Sequence, residues 1–194
     1  MPPQKVLLLV PPGAEALEVA AFTDVFGWHQ AVGSAGFHLV TCSAAREVPL
    51  SFGHTLLAQA LLRETSAQDY AALALPGGFG RYGYFQHACS EPYLALLRAF
   101  AAAGKPLAAV CTAAIALGEA GLLVSRHATT YALEPGWAAQ LQKQGAIYTG
   151  EPLTIDGPLI TSQNPASAVP VALTLLERLA GPKERAFIQR QMGF

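Results

Sequence analysis

Short apolar runs that alternate with longer stretches of helical period are the feature of this sequence that most restricts its fold. Each run has the length and composition of a strand buried on both faces, and apolar residues recur three or four positions apart in the stretches between them. This alternation predicts an α/β fold with a mostly parallel sheet and helices on both faces. The predicted strands are residues 6–10, 37–42, 71–75, 107–110 and 159–161. The predicted helices are residues 19–31, 92–103, 112–120, 135–144 and 168–179.

The remaining segments predict smaller elements around this core. Residues 47–57 and 147–155 are short extended pieces that we expect to form hairpins at the sheet edge, with Asp156-Gly157 as a turn. Residues 182–194 are more polar and predict a short C-terminal helix. The sequence holds no internal repeat and no linker, so its 194 residues predict one domain that spans positions 1–194.

Composition argues against several classes of function. The net charge of −1 provides no positive surface for nucleic acid or an anionic membrane. The sequence lacks an apolar stretch of about 18 residues, which argues against a membrane span, and the run at residues 6–10 is too short for a signal peptide. Three cysteines without C-x-x-C spacing argue against a disulfide framework and a zinc site. We therefore expect a cytoplasmic protein with free thiols and without a metal or cofactor.

A cysteine stands where one of the predicted strands meets the next helix. Cys111 follows the strand at residues 107–110, and Ala109 and Ala113 flank it in the small-x-nucleophile-x-small pattern of a nucleophile elbow. Such an elbow is a sharp strand-to-helix turn with a strained backbone. A thiol at a helix N-terminus is expected to have a lowered pKa, because the helix dipole and free N–H groups stabilise the thiolate. Cys111 is thus a candidate nucleophile, and the alternative is a buried core cysteine.

A second strand end carries consecutive glycines. Residues 76–80 read Pro-Gly-Gly-Phe-Gly, and such a turn directs backbone N–H groups into the cleft beyond the strands. The N–H groups of Gly78 and Thr112 are candidates for an oxyanion hole, and Gly77 and Phe79 are expected to lie beside the pocket. A lone Gly-Gly turn has low specificity, and it is not a phosphate loop because no Gly-Lys-Ser/Thr follows.

The first helix begins with two carboxylates three residues apart. Glu15 and Glu18 share a helix face, although Glu15 is equally compatible with a solvated first turn. Glu18 lies in an otherwise apolar segment, where a carboxylate is costly unless it has a partner or a role. We expect burial to raise the pKa of Glu18, so that a protonated carboxyl donates a hydrogen bond to a thiolate. The alternative is an exposed helix glutamate.

Taken together and in this order, the three motifs resemble the ThiJ/PfpI family (the DJ-one superfamily), a branch of the class I glutamine amidotransferase-like fold. The resemblance runs from residues 6–18 through residues 74–78 and 109–111 to residues 160–176. It implies a flavodoxin-like three-layer sandwich, a homodimer and a hydrogen bond between Glu18 and Cys111. It also implies that the loop with Asn164 lies near the pocket. From the sequence, Ser167 in this loop is expected to cap the following helix.

The residues from Cys111 to Tyr131 resemble most closely the isonitrile hydratase branch, whose members add water to an isocyanide and give an N-formamide. Glu18 stands where that branch has an aspartate. Thr112 stands where peptidase-like members have histidine, and no histidine follows His127, so neither a Cys-His peptidase nor an amidotransferase triad is expected. Tyr131 replaces the histidine of glyoxalase- and deglycase-like members. A phenol is a hydrogen-bond donor rather than a base at neutral pH.

The sequence therefore favours a cysteine-dependent hydratase, lyase or hydrolase that acts on a small electrophile. In this reading Cys111 attacks the electrophilic carbon, Gly78 and Thr112 stabilise negative charge, and Glu18 transfers a proton with assistance from Tyr131. The alternative is a redox sensor or oxidative-stress protein whose signal is the oxidation of Cys111 to sulfenic and sulfinic acid.

The roles of one aromatic segment and of the two tryptophans stay open. Residues 81–85 are predicted to form either a pocket wall or lid, or a loop that packs beside the sheet. Trp28 and Trp137 lie in helical patterns and are expected in the core or in an interface.

Overall fold

The computed structural model describes residues 3–194, which fold around a seven-stranded sheet. The strands are β1 (Gln4–Leu9), β2 (Phe37–Ser43), β3 (Glu47–Pro49), β4 (Thr55–Leu57), β5 (Ala60–Leu61), β6 (Tyr70–Leu75), β7 (Leu107–Ala109), β8 (His127–Ala128), β9 (Ile147–Tyr148), β10 (Leu153–Asp156) and β11 (Leu159–Ser162). The α-helices are α1 (Ala16–Val32), α2 (Tyr84–Ala88), α3 (Glu91–Ala102), α4 (Ala113–Glu119), α5 (Trp137–Lys143), α6 (Ala168–Ala180) and α7 (Pro182–Gln191).

The central sheet has the strand order β10-β11-β7-β6-β1-β2-β5, and each pair is parallel except β10 and β11. Its middle strands are covered on both faces; residues 6–9 of β1, for example, are fully buried. A strand covered on both faces has no polar side, which explains the continuous apolar runs in the sequence. All five predicted strands belong to this sheet, and their ends lie within two residues of the prediction.

The helices form a layer on each face of the sheet. On one face α1, α6 and α7 contact one another, and on the other α3 packs against α2 and α4, with α5 against α4. The five predicted helices are present with ends that differ by up to three residues, and the predicted C-terminal helix is α7. The prediction of a three-layer, flavodoxin-like α/β sandwich is therefore confirmed.

The predicted edge hairpins are only partly correct. Residues 47–57 do form a hairpin, but β3 and β4 pair in a separate two-stranded sheet. This hairpin packs on the loop after β1, where Gly13 N–H donates to Pro49 and the Ser51 hydroxyl donates to Gly13. Residues 147–155 do not form one hairpin, because β9 pairs with β8, whereas β10 turns at Gly157 and pairs with β11.

The sequence patterns missed two short elements. The edge of the main sheet next to β2 is β5, which has only two residues and so carries no alternation to detect. The helix α2 is a five-residue helix that begins within the aromatic segment at residues 81–85 and continues to Ala88. Over the described residues, no helix is long and apolar enough to cross a membrane.

The adjacent strands β1, β6 and β7 all end at the same edge of the sheet, which is where ligands bind in open α/β folds. Backbone hydrogen bonds tie the segments beyond these strand ends together. Glu15 N–H donates to Gly77 at 2.9 Å, and Val110 N–H donates to Leu75 at 3.1 Å. The three candidate motifs therefore meet at one place, although they are far apart in the sequence.

Candidate active site

The elbow after β7 places Cys111 in a strained backbone conformation. Its φ of 57° is in the left-handed region that is unfavourable for residues with a side chain. Two contacts hold this conformation: Cys111 N–H donates to Ser162 at 3.0 Å, and the Thr130 hydroxyl donates to the Cys111 carbonyl at 3.1 Å. A strained turn that is fixed by its surroundings is typical of a functional position. The predicted nucleophile elbow is present.

Close packing explains the two glycines after β6. A Cβ atom on Gly77 would lie 2.8 Å from the Val110 carbonyl oxygen, and one on Gly78 would lie 2.3 Å from the Gly13 carbonyl oxygen and 2.5 Å from the Tyr84 ring. No side chain larger than hydrogen fits at such distances without a backbone shift. The glycines thus allow the turn to approach both the elbow and the loop after β1.

The close packing of the glycine turn predicts that one methyl group added at Gly78 destabilises the protein strongly. We expect Gly78→Ala to lower the free energy of unfolding by about 3 kcal/mol, because the new methyl group meets the Gly13 carbonyl oxygen and the fully buried Tyr84 ring. The matched control is Gly27→Ala in the interior of α1, where an added Cβ has no neighbour within 4 Å among the described residues. This control should gain about 0.5–1 kcal/mol from its higher helix propensity. Urea denaturation measures both, and equal stability of the two variants would contradict the packing argument.

Glu18, on the first turn of α1, lies beneath the glycine turn and is fully buried. Its Oε2 accepts a 2.5 Å hydrogen bond from the Gly77 N–H, and its Oε1 has no hydrogen-bond partner among residues 3–194. Burial raises the pKa of Glu18 to about 8; the Gly77 hydrogen bond and the nearby Cys111 side chain oppose this shift, and the charge of Glu15 adds to it. Glu18 is therefore mostly protonated at neutral pH. The hydrogen bond between Glu18 and Cys111 that the resemblance implies is not formed among the described residues, although each group affects the pKa of the other.

The expected lowering of the thiol pKa is wrong for this geometry. Cys111 is only 6% exposed, and burial together with the charge of Glu18 raises its pKa well above the ordinary value. The Thr112 N–H, which hydrogen-bonds to the sulfur, acts in the opposite direction but does not outweigh burial. The effect of the Glu18 charge disappears when that carboxyl is protonated. The thiol and the carboxyl are thus a coupled pair, and ionisation of either group disfavours ionisation of the other.

One of the two amides of the predicted oxyanion hole, the Gly78 N–H, is already bonded within the protein. The Gly78 N–H donates to the Thr112 hydroxyl oxygen at 3.1 Å, and the Thr112 hydroxyl donates back to the Gly78 carbonyl at 2.9 Å. The Thr112 side chain therefore accepts the hydrogen bond of the Gly78 N–H, which was expected to face a substrate. The Thr112 N–H lies close enough to the Cys111 sulfur to lower the pKa of the thiol.

A pocket of about 140 Å³ opens above Cys111. Its lining consists of Glu15, Gly78, Phe79, Gly80, Phe85, Cys111, Thr112, Tyr131, Glu134, Trp137 and Pro165. Tyr131 is half-buried in this wall, and partial burial together with the charge of Glu134 raises its pKa, so the phenol is a neutral hydrogen-bond donor. The pocket brings Tyr131 and Phe79 together with the thiol, as the sequence predicted.

Two residues that were expected at the pocket do not line it. Gly77 lies behind the wall, because its N–H and C=O groups bind Glu18 and the Glu15 amide. The Asn164 side chain accepts a hydrogen bond from the Ser167 N–H at 3.2 Å, so it caps its own turn, and only the adjacent Pro165 reaches the pocket. The expectation that Ser167 caps α6 with its side chain is also wrong, since within the described chain its hydroxyl bonds back to Asn164.

The sequence did not assign Glu15, Glu134 or Trp137 to the pocket, and it left residues 81–85, which include Phe85, open between a pocket wall and a loop. Phe85 and Trp137 stack with their ring centroids 4.8 Å apart and form one wall of the pocket, and Trp137 is also partly buried against the core. Glu15 reaches the pocket from the start of α1, where its position three residues before Glu18 was a usable signal. Glu134 carries no motif that marks it. Among residues 3–194 no cluster of three or more His, Cys, Asp or Glu side chains is arranged to hold a metal.

Comparison with known proteins places this site in a family context. Residues 4–178 match the model of the DJ-1/PfpI family. DJ-1 homolog B of Arabidopsis thaliana is 30% identical over 178 residues, which are 91% of this chain and 38% of that protein. Isonitrile hydratase of Pseudomonas putida is 32% identical over 124 residues, 63% of this chain and 51% of that protein. The chain thus spans only about 38% and 51% of the length of these two relatives.

Two further comparisons cover nearly whole chains. Glutathione-independent glyoxalase DJR-1.2 of Caenorhabditis elegans is 24% identical over 185 residues, 92% of this chain and 90% of that protein. The crystal structure of Drosophila melanogaster DJ-1beta superposes with a TM-score of 0.85 at 26% identity and covers 98% of this chain and 97% of its own. The whole described fold, and not only the elbow, is therefore shared with this group of proteins.

Proposed function

This chain belongs to the DJ-1/PfpI family, and from that premise we propose that it is a cysteine-dependent enzyme that adds water to a small isocyanide. One observation carries the proposal. The Cys111 thiol lies at a strained elbow in the floor of a small pocket, and a buried carboxyl with a pKa of about 8 lies beside it. This arrangement supplies a nucleophile and a proton donor in one place.

The proposed reaction begins with attack of the Cys111 sulfur on the terminal carbon of the isocyanide, which forms a carbon–sulfur bond. Glu18 gives its proton to the same carbon, and the resulting carboxylate takes up the thiol proton as the S–H bond breaks. The product of this step is a thioimidate, Cys–S–CH=N–R, with Glu18 protonated again. Glu18 then protonates the nitrogen as water adds to that carbon, and its carboxylate takes up a proton from the added water. When the carbon–sulfur bond breaks, the proton of the new hydroxyl group passes through Glu18 to the sulfur. The products are an N-substituted formamide and the original thiol, and one water molecule is consumed.

The hydrogen bonds of the elbow favour an isocyanide over an aldehyde as substrate. Attack of a thiolate on an aldehyde creates negative charge on oxygen, which needs N–H donors aimed at that oxygen. Here the Gly78 N–H is bound to the Thr112 hydroxyl. Attack on an isocyanide creates charge on carbon, and a single proton from Glu18 neutralises it directly. The Tyr131 phenol, which lines the same pocket, would donate a hydrogen bond to the substrate nitrogen.

Redox sensing is supported less well by this geometry. A redox-sensor cysteine has an accessible sulfur and a low pKa, whereas Cys111 is 6% exposed and burial raises its pKa. Mild peroxide treatment followed by mass analysis separates the two hypotheses: rapid gain of two oxygen atoms at Cys111 favours the sensor. The homodimer and the cytoplasmic location implied by the sequence remain predictions.

The test of the proposed function is consumption of cyclohexyl isocyanide, with N-cyclohexylformamide measured as the product by gas chromatography. Methylglyoxal is assayed in parallel with the same enzyme. We expect formamide to form faster than in buffer, and methylglyoxal to be consumed more slowly than the isocyanide. No formamide above the buffer rate would overturn the proposal, and rapid loss of methylglyoxal alone would move the assignment to the glyoxalase-like reaction.

A further inference from the structure

The pocket walls are apolar or negatively charged. Phe79, Phe85, Trp137 and Pro165 supply apolar surface, and the stacked rings of Phe85 and Trp137 form a flat face. The charged side chains in the lining are the carboxylates Glu15 and Glu134, and among the described residues no Lys, Arg or His side chain takes part in it.

The negative charges of Glu15 and Glu134 raise the pKa values of the side chains proposed to react. The charge of Glu15 contributes to the raised pKa of both Glu18 and Cys111, after the larger effect of burial. Burial, then Glu134 and more weakly Glu15, raise the pKa of Tyr131. A negative charge that disfavours a thiolate or a phenolate also disfavours an anionic substrate in the same space.

A nearby cation does not compensate for these charges. Arg81 follows the pocket residue Gly80, but its guanidinium carbon lies 4.9 Å from the Tyr82 ring centroid and 5.5 Å from that of Phe79. It is thus held against the Tyr82 and Phe79 rings, and because the Arg81 side chain is exposed, its charge is screened by solvent. The field inside the pocket is set by the carboxylates.

We propose that this pocket selects neutral or cationic electrophiles with an apolar group and excludes anionic ones, and that Glu15 and Glu134 determine this specificity. Electrophiles that carry a carboxylate or a phosphate are the excluded class. The inference rests on the proposed function in so far as Cys111 is the attacking group. It extends that function by the charge and polarity of the substrate.

The expected size of the effect follows from Coulomb's law. A unit charge about 7 Å from a carboxylate, at an effective dielectric constant of about 40, changes a rate by about tenfold. Glu134 is exposed and Glu15 is half-buried, so added salt should reduce the contribution of Glu134 more.

Alkylation of Cys111 by iodoacetamide and iodoacetate tests the inference without any assumption about turnover. The two reagents have almost the same shape and differ in charge, and the modified peptide is quantified by mass spectrometry. The ratio of the two rates cancels the fraction of ionised thiol, and division by the same ratio for free N-acetylcysteine corrects for intrinsic reactivity. We expect the corrected ratio to favour iodoacetamide by about tenfold or more in the wild type at low salt.

The variants Glu15→Gln and Glu134→Gln should each lower the corrected ratio several-fold, and high salt should lower it in the wild type. The matched control is Asp24→Asn, an exposed carboxylate about 13 Å further along α1 and outside the pocket lining, which should leave the ratio unchanged. A wild-type ratio near that of N-acetylcysteine, or a ratio that neither glutamine variant changes, would overturn the inference. Because this readout needs no isocyanide turnover, its failure is distinct from failure of the proposed function.

Discussion

Cys111→Ser is expected to reduce isocyanide hydration by about 10³-fold or more, to near the rate in buffer. Serine is nearly isosteric with cysteine and keeps the contacts of the elbow backbone with Ser162 and Thr130. Its hydroxyl is a far weaker nucleophile than a thiol, and the site offers it no histidine base. The measurement is formamide formation under single-turnover conditions, with the variant and the wild type at equal concentration.

Cys89 provides the control for this prediction. Cys89 is half-buried outside the pocket lining, and burial raises its pKa to about 11. We expect Cys89→Ser to keep turnover within about twofold of the wild type, because it removes a thiol without a part in the proposed reaction. Retained activity in Cys111→Ser would show that Cys111 is not the nucleophile, and loss in Cys89→Ser would show that the reaction does not depend on Cys111 alone.

Local patterns in the sequence were sufficient to predict the fold and the elbow. The apolar run at residues 107–110, the flanking Ala109 and Ala113, and the helix after Cys111 all belong to one continuous segment. Parallel strands that are buried on both faces produce strong signals of this kind, because each strand is a continuous apolar run in the local sequence. The convergence of the Glu18, Gly78 and Cys111 segments followed from the rule that strand ends share one edge of the sheet.

Contacts between distant segments could not be predicted in this way. Phe85 and Trp137 stack although 51 residues separate them, and only the packing of the helices on one face of the sheet brings them together. The Thr112 hydroxyl could bond to several partners. It bonds to Gly78 because the folded chain brings the two residues together, and this distance cannot be deduced from their positions in the sequence. The pKa of Cys111 was predicted with the wrong sign because the helix N-terminus is visible in the sequence, whereas the extent of burial is not.

Glu18→Gln is expected to lower isocyanide turnover by about 10²–10⁴-fold, the usual contribution of a positioned proton donor. Glutamine has the same shape and can still accept the Gly77 N–H, but it has no proton to transfer. In the wild type, turnover should fall as the pH rises through about 8, where Glu18 loses its proton. The pH–rate profile of the wild type and the turnover of the variant at pH 7 measure these effects.

The same substitution should not destabilise the protein. Glu18 has a folded-state pKa near 8, above its ordinary value of 4.5, so the buried carboxyl becomes progressively more destabilising between those two pH values. Glutamine carries no such penalty. We therefore expect Glu18→Gln to be the more stable protein at pH 8 and above in urea denaturation, which separates a catalytic defect from a folding defect.

Thiol reactivity should change in the direction opposite to turnover. Above pH 8 the ionised Glu18 disfavours a thiolate at Cys111, so its replacement by glutamine should make alkylation by iodoacetamide faster. Asp24→Asn, further along the same helix and exposed, should change neither rate. A Glu18→Gln enzyme with wild-type turnover would mean that the proton comes from another group. A variant in which alkylation and turnover fall together would mean that Glu18 only positions the thiol, because a lost proton donor leaves a more reactive nucleophile that cannot complete the reaction.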